Sequence, residues 1–417
     1  MGVRFYAGAN TTDSRALVPA TLLPPQRATA RTGGNELKPG SISVTKTFAA
    51  LAIAMLAAGS AHASLKSVSG SFGSTSWTAS STIVGVTPTA TAPTAGGGDP
   101  RYFAPRSQYS GVATIITEYA NGDAFICSGT LMSNQRSILT AAHCVSDGTA
   151  ARPVNTTVHF YTGTDPDNVT WAAPTFSYGV SNYYVHSAYT GHVIDQNDIA
   201  VLTLDAFVDS SVKTHGLYGG SDLTGLEYNI AGYGGRSTVG GSAGVDARTG
   251  RLRQGDNRYD FRLGDADFGG FWDDVLGEPA SQIEYTYLAD FDNGRGANDL
   301  SCNIAVFGFG IAPSGKYCNT GLGADEVSSA GGDSGGPEFI GDLVASVTSF
   351  GLTFGDTWGD VDNKLNSSFG EFNGFVPVSI HRDFIAAAMA TVPEPGSFAL
   401  AGLSLALLGA SRRKRRA

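Results

Sequence analysis

The chain has 417 residues, 42% of them hydrophobic, which is enough to bury a full core and long enough for two or three folded units. Fifty-five glycines beside frequent Ser, Thr, Val and Tyr favour short strands and turns over long helices. A formal charge of −10 repels phosphate backbones and excludes nucleic acid as a partner.

Residues 1–40 are polar, carry Pro24-Pro25 and Gly33-Gly34, and show no apolar periodicity. Lys46 then precedes an apolar run over 48–58, and Ala61-His62-Ala63 closes it. A basic flank, a short apolar segment and an Ala-x-Ala exit are the parts of a secretory signal, so 1–63 reads as a leader cleaved before Ser64. The distance of that signal from Met1 points to a translation start further along, near Leu37 or Val44. Export in turn predicts that the four cysteines form disulfides. Residues 64–106, rich in Ser, Thr, Gly and Pro, read as either a linker or a propeptide.

From Gly111 the pattern changes to strands. Residues 112–117 and 124–127 flank Asn121-Gly122, a hairpin turn signal, and further strands are expected at 138–140, 158–161 and 199–204. They suit a six-stranded antiparallel barrel over about 107–225. A second set opens at 228–234 and returns at 343–350 and 374–378, giving a second barrel over about 226–391 that ends in a helix at 380–390. The fold class expected is all-β, two packed barrels with a C-terminal helix.

Between 235 and 299, Gly240-Gly241, Gly244 and Gly269-Gly270 predict a loop-rich insertion. Inside it, Asp290-Phe291-Asp292-Asn293-Gly294 has some of the oxygens of a calcium loop. Gly294 stands where a ligand should be and no Glu follows at the required offset, so an Asx-turn is expected there, and no metal or other cofactor is called for. At the end of the chain Val392-Pro393-Glu394-Pro395-Gly396 precedes an apolar run over 398–410 and then Arg412-Arg413-Lys414-Arg415-Arg416. The run is short for a membrane anchor, and the basic residues keep that end in the cytoplasm.

Three stretches carry chemistry. The run from Ser328 to Pro337 holds Ser334 on a turn walled by Gly331, Gly332, Gly335 and Gly336. A serine hydroxyl is a weak nucleophile and needs both a base and donors for the oxyanion that forms. Gly332, lacking a Cβ, can turn its N–H toward the same point as that of Ser334. Upstream, Leu139-Thr140-Ala141-Ala142-His143-Cys144 offers an imidazole and Asn197-Asp198-Ile199-Ala200-Val201-Leu202 a carboxylate.

The serine run also fits the Gly-x-Ser-x-Gly elbow of α/β-hydrolases, but those place their histidine after the serine, and only His381 follows Ser334. The order His, Asp, Ser, with these three contexts, resembles the trypsin/chymotrypsin-like serine endopeptidases. The resemblance implies a triad of His143, Asp198 and Ser334, an oxyanion hole of Gly332 and Ser334, and hydrolysis of a protein or peptide substrate through an acyl-enzyme. It pairs Cys127 with Cys144 around the histidine, and Cys302 with Cys318. It places a specificity pocket at Ser328 and Ser329, with Ser349, Phe350 and Gly351 as substrate strand and wall and Gly374 on the other side. A neutral floor favours a neutral P1 side chain. Ala330 replaces the family's bridging cysteine, and a shifted loop bringing in Asp325 or Glu326 would favour a basic one.

Zymogen relatives need a new N-terminus whose ammonium pairs with the Asp beside the serine, here Asp333. Ile83-Val84-Gly85 resembles that start but lies far upstream of Cys127, and cleavage after Arg101 or Arg106 fits the spacing better. Two rival functions share these residues: a non-catalytic surface or matrix-binding relative, and an esterase. The tail resembles the PEP-CTERM sorting tail of Gram-negative bacteria. It implies recognition by an exosortase, transient membrane contact through the apolar run, and a place in the envelope, at the cell surface or outside the cell.

Overall fold

The computed structural model describes residues 67–72, 74–80, 83–89, 98–149 and 152–391. The leader with its apolar run at 48–58 and the sorting tail at 392–417 lie outside the described residues. Among those described, no helix is long and apolar enough to cross a membrane.

The described residues within 64–106 form strands and short turns. Strands β1 (Val68–Phe72) and β2 (Thr75–Ser80) form an antiparallel hairpin in which Gly70 faces Trp77. A Cβ on Gly70 would come within 2.6 Å of the indole, so the ring lies flat on the glycine. Trp77 and Ala79, two apart on the strand, share its buried face. Strand β3 (Val84–Gly85) pairs with Val327–Ser328.

Strands β4 (Val112–Glu118), β5 (Ala124–Leu131), β6 (Ser137–Thr140), β7 (Asn155–Phe160), β8 (Phe176–Val185) and β9 (Ala200–Leu204) close a barrel in the order β4-β5-β6-β9-β8-β7. Gly122, at φ +91°, makes the turn between β4 and β5 in a conformation that side chains disfavour. Ile115, Leu131, Ile138, Val158, Phe160 and Leu202 fill the interior. Strand β8 was not expected: its Ser, Gly and Asn residues hide any alternation, and it is half-buried along most of its length.

The second half is built from β10 (Gly216–Leu217), β11 (Glu227–Gly232), β12 (Arg253–Arg258), β13 (Phe261–Arg262), β14 (Tyr287–Phe291), β15 (Val327–Ser328), β16 (Pro337–Ile340), β17 (Leu343–Thr353) and β18 (Glu371–Pro377). Its main path runs β12-β11-β16-β17-β18-β14-β13 in a ten-stranded sheet that also takes in β1, β2 and β10. This is a half-barrel sheet rather than a second closed six-stranded ring. Strands β12 and β14 fall inside the stretch expected to be loop. In β12 the buried positions include Arg253 and Asn257, whose burial depends on distant partners: Arg253 reaches Asp167 and Asn257 reaches the carbonyls of Asp290 and Val327. Hydropathy carries no trace of such a strand.

A core of Val112, Ile126, Leu139 and Ile199 from the first half with Tyr233, Val347, Val376 and Ile385 from the second joins the two. Ile385 comes from the C-terminal helix Arg382–Ala390, which follows a 3₁₀ turn at Val378–His381.

Candidate active site

His143 sits in the 3₁₀ turn Ala142–Cys144 that leaves β6, and the disulfide Cys127–Cys144 ties that turn to β5. Asp198 lies just before β9. Its loop is held by the buried Asp195, which accepts from the N–H groups of Thr190 and Asn197 and from the Gln282 side chain. The Asp198 carboxylate, almost fully buried, accepts from the His143 N–H at 2.8 Å, from His143 Nδ1 at 2.7 Å and from the Ser349 hydroxyl at 2.6 Å. A carboxylate can only accept, so Nδ1 is the donor in this pair, and Nε2 is the ring nitrogen turned away from Asp198.

Ser334 lies on a turn that the first barrel grips. Its carbonyl accepts from Ser128 N at 2.9 Å, and the Ser128 hydroxyl donates to Gly332 O at 2.8 Å. Gly332 takes φ +105° and Gly335 +77°; a Cβ on Gly335 would fall 2.0 Å from the Thr140 hydroxyl. Only glycine fits there. Within the turn Asp333 N donates to Ala330 O and Gly335 N to Thr348 O. Among the described residues, the N–H groups of Gly332 and Ser334 donate to no acceptor. His143 Nε2 and the Ser334 hydroxyl are likewise buried without a partner. Nε2 and the Ser334 hydroxyl are therefore not bonded to each other; donors without an acceptor, a ring nitrogen and a hydroxyl are the kinds of group a reacting carbonyl would need.

Asp333 is fully buried, and burial pushes its carboxyl well above the usual range. It accepts from Gly234 N and Ala330 N, and its Oδ2 also takes the N–H of Ile83. Ile83 thus reaches Asp333 from far upstream of Cys127, and between the two the chain forms β3, Pro100–Tyr102 and the turn at Arg106–Tyr109.

Ser328 and Ser329 are buried side by side, and both hydroxyls reach Asn373 Oδ1, at 2.9 and 2.8 Å. Gly374 does not face them, against expectation. Its missing side chain points at the Phe350 ring, 2.3 Å from where a Cβ would stand, because neighbours on β18 point to opposite faces. Asn373 takes its place, a residue that counting one position along the strand would have found. Phe350 is itself buried in the aromatic core. Ser349 faces the triad rather than the pocket. Gly351 pairs with Asn373 on one edge of β17 and with Ser80 of the hairpin on the other.

The two acids near the pocket turn away. Asp325 is exposed and pairs with Arg101 at 3.5 Å, while Glu326 accepts from the N–H groups of Asp292 and Leu322. Across the gap left by Ala330, the Ser367 hydroxyl donates to Ser329 O at 2.7 Å, so a hydrogen bond ties the two loops. The second disulfide joins Cys302 to Cys318. At the suspected calcium loop, Asp292 Oδ1 accepts from Gly294 N at 2.7 Å, the bond of an Asx-turn.

Residues 103–249 match the trypsin family model, and residues 391–416 match the PEP-CTERM protein-sorting motif. The trypsin match covers the turns of His143 and Asp198 and stops short of Ser334. Among curated proteins none matches. Among solved structures HL collagenase is similar, at 17% identity over 69% of this chain and 97% of that chain, with a TM-score of 0.45. The trypsin match supports a serine peptidase at family level over that stretch, and the sorting motif supports export toward the envelope or surface of a Gram-negative cell.

Proposed function

We propose that the chain is an exported serine endopeptidase working through His143, Asp198 and Ser334. The Ser334 hydroxyl attacks the peptide carbonyl while His143 Nε2 takes its proton; the N–H groups of Gly332 and Ser334 hold the oxyanion. His143 returns the proton to the leaving amine, and water then cleaves the acyl-enzyme by the same route. Asp198 keeps the ring oriented and offsets the charge of the imidazolium. One observation carries the reading: Asp198 grips His143 by backbone and ring together, while Nε2 and the Ser334 hydroxyl stay unspent.

A neutral P1 residue follows from a floor of Ser328, Ser329 and Asn373 with both nearby acids turned away. Activation is assigned to a cut before Ile83, whose new ammonium would supply the counter-charge that buried Asp333 lacks. Residues 107–391 form the catalytic unit, and 392–417 are the tail that an exosortase-type enzyme recognises. The rival readings part on one experiment. Fluorophosphonate labels the exported protein and fails to label Ser334→Ala, and the wild type digests casein. Absence of labelling would leave a non-catalytic relative; turnover of simple esters without casein would leave an esterase.

A further inference from the structure

Strand β17 leads straight out of the site. It begins its path there at Ser349, bonded to Asp198, and continues through Gly351, Leu352 and Thr353. At Gly351 and Leu352 one edge is paired to β18. The other edge is where an extended peptide with its reacting carbonyl at Ser334 would be read by main-chain hydrogen bonds. That edge is already filled. Ser80, Ala79 and Thr78 of β2 pair with Gly351, Leu352 and Thr353 in antiparallel register. Three residues beyond Ser80, the N–H of Ile83 is held by Asp333, the neighbour of Ser334.

The occupant is anchored by one side chain. Trp77 is buried, donates from Nε1 to Val275 O at 3.1 Å, and packs with Phe350, Leu352 and Phe354. Beside it lies a cavity of ≈510 Å³ lined by Phe271, Val275, Ile304, Phe307, Phe354 and Trp358, so the aromatic basin is larger than the one indole it holds. The positions facing Gly351–Thr353 are Ser, Ala and Thr, small and uncharged.

Building on the peptidase reading, we infer that residues 68–80 are an internal occupant of the substrate strand. Trp77-Thr78-Ala79-Ser80 is then a template of the peptides the site accepts on the N-terminal side of the cut. The class is an extended segment with small uncharged residues against Gly351–Thr353 and an aromatic residue seated on Val275 and Phe354. Such peptides compete with the hairpin, and only molecules with the hairpin displaced accept them.

The test compares fluorescein-labelled casein, which must lie along β17, with p-nitrophenyl acetate, which has nothing to place there. Full-length Trp77→Ala should hydrolyse casein about ten-fold faster at low substrate, as expected when a competent fraction near one tenth becomes dominant. Its p-nitrophenyl acetate rate should equal that of the wild type. Ala79→Lys, which cannot bury its charge against Leu352, should do the same. The hexapeptide Thr-Ser-Trp-Thr-Ala-Ser should inhibit casein cleavage competitively in either variant, and its Trp→Ala form should need at least about ten-fold more. Unchanged or slower casein cleavage with the ester rate intact overturns the occupant while sparing the active serine. Failure of both variants to fold also overturns it, since a hairpin the fold depends on cannot be displaced. Loss of ester hydrolysis and of fluorophosphonate labelling in the wild type sinks the peptidase reading and the occupant with it.

Discussion

The first barrel and the second sheet solve the problem of a core in different ways. The barrel closes on itself over an interior of Ile, Val, Leu and Phe, and its strands follow short apolar runs. The sheet stays open, takes a hairpin from the N-terminal side onto its edge, and buries carboxyl groups. Among the described residues, every carboxyl pushed up from its ordinary pKa lies between 256 and 371. Glu371 shows why they are tolerated: it accepts from the N–H groups of Asn366, Ser367 and Ser368 and so organises the loop that faces the pocket. The barrel thus carries His143 and Asp198 on a rigid mount, and the sheet side carries Ser334, Ser328, Ser329 and Asn373 among hydrogen-bonded polar groups.

If the barrel's contribution is orientation of the imidazole, Asp198→Asn should keep the fold and lower kcat by roughly 10⁴, because an amide can donate and would turn the ring to the wrong tautomer. A loss of less than about ten-fold would break the division of labour. The sheet's share is smaller per residue. Gly332→Ala, forced to keep φ +105° or abandon its N–H position, should lower kcat by about 10²–10³ with little change in KM. Equal loss in ester and peptide turnover is the signature to look for.

Removing the Cys302–Cys318 bridge, with its sequence separation of 16, should cost about 3 kcal/mol of stability and lower Tm by several degrees without touching the triad. An unchanged melting curve would mean the loop is held by its packing alone.

The smallest effect is one of pH. Burial raises Asp260 and Asp292 to about 7, Asp299 to about 6, and Glu338 and Glu371 to about 8. An acid whose folded pKa lies above its unfolded value keeps a proton in the native state that the unfolded chain has already released. Stability therefore falls as pH rises through the folded values. Tm should decline from about pH 4, most steeply at about pH 5–6 where all five groups hold a proton only in the folded chain, and level off above about pH 8. Calorimetry showing a flat or rising Tm across that range would contradict the burial of uncompensated carboxyls in the sheet.

Legibility in the sequence follows the same division. The hairpin at Asn121-Gly122, the barrel strands and the contexts of His143, Asp198 and Ser334 are local patterns, each contained in a few neighbouring residues. The strand at Arg253–Arg258 was unreadable because its buried face is polar and satisfied only by Asp167 and by carbonyls over thirty residues away. Gly374 was misplaced by one step of strand parity, which hid Asn373. The hairpin Val68–Ser80 looked like linker because its Ser, Thr and Gly content is that of a flexible chain; its order comes from one tryptophan and three backbone pairs to β17.

By itself the sequence determined three short frames and their order, around His143, around Asp198 and around Ser334 on its glycine turn, since each is written in a few neighbouring residues. Only the tertiary structure decided what surrounds them: which residue faces the pocket, where Ile83 is held, and what lies along the edge of β17. Those depend on strand register and on hydrogen bonds between distant segments, and neither quantity is written in any local run of residues.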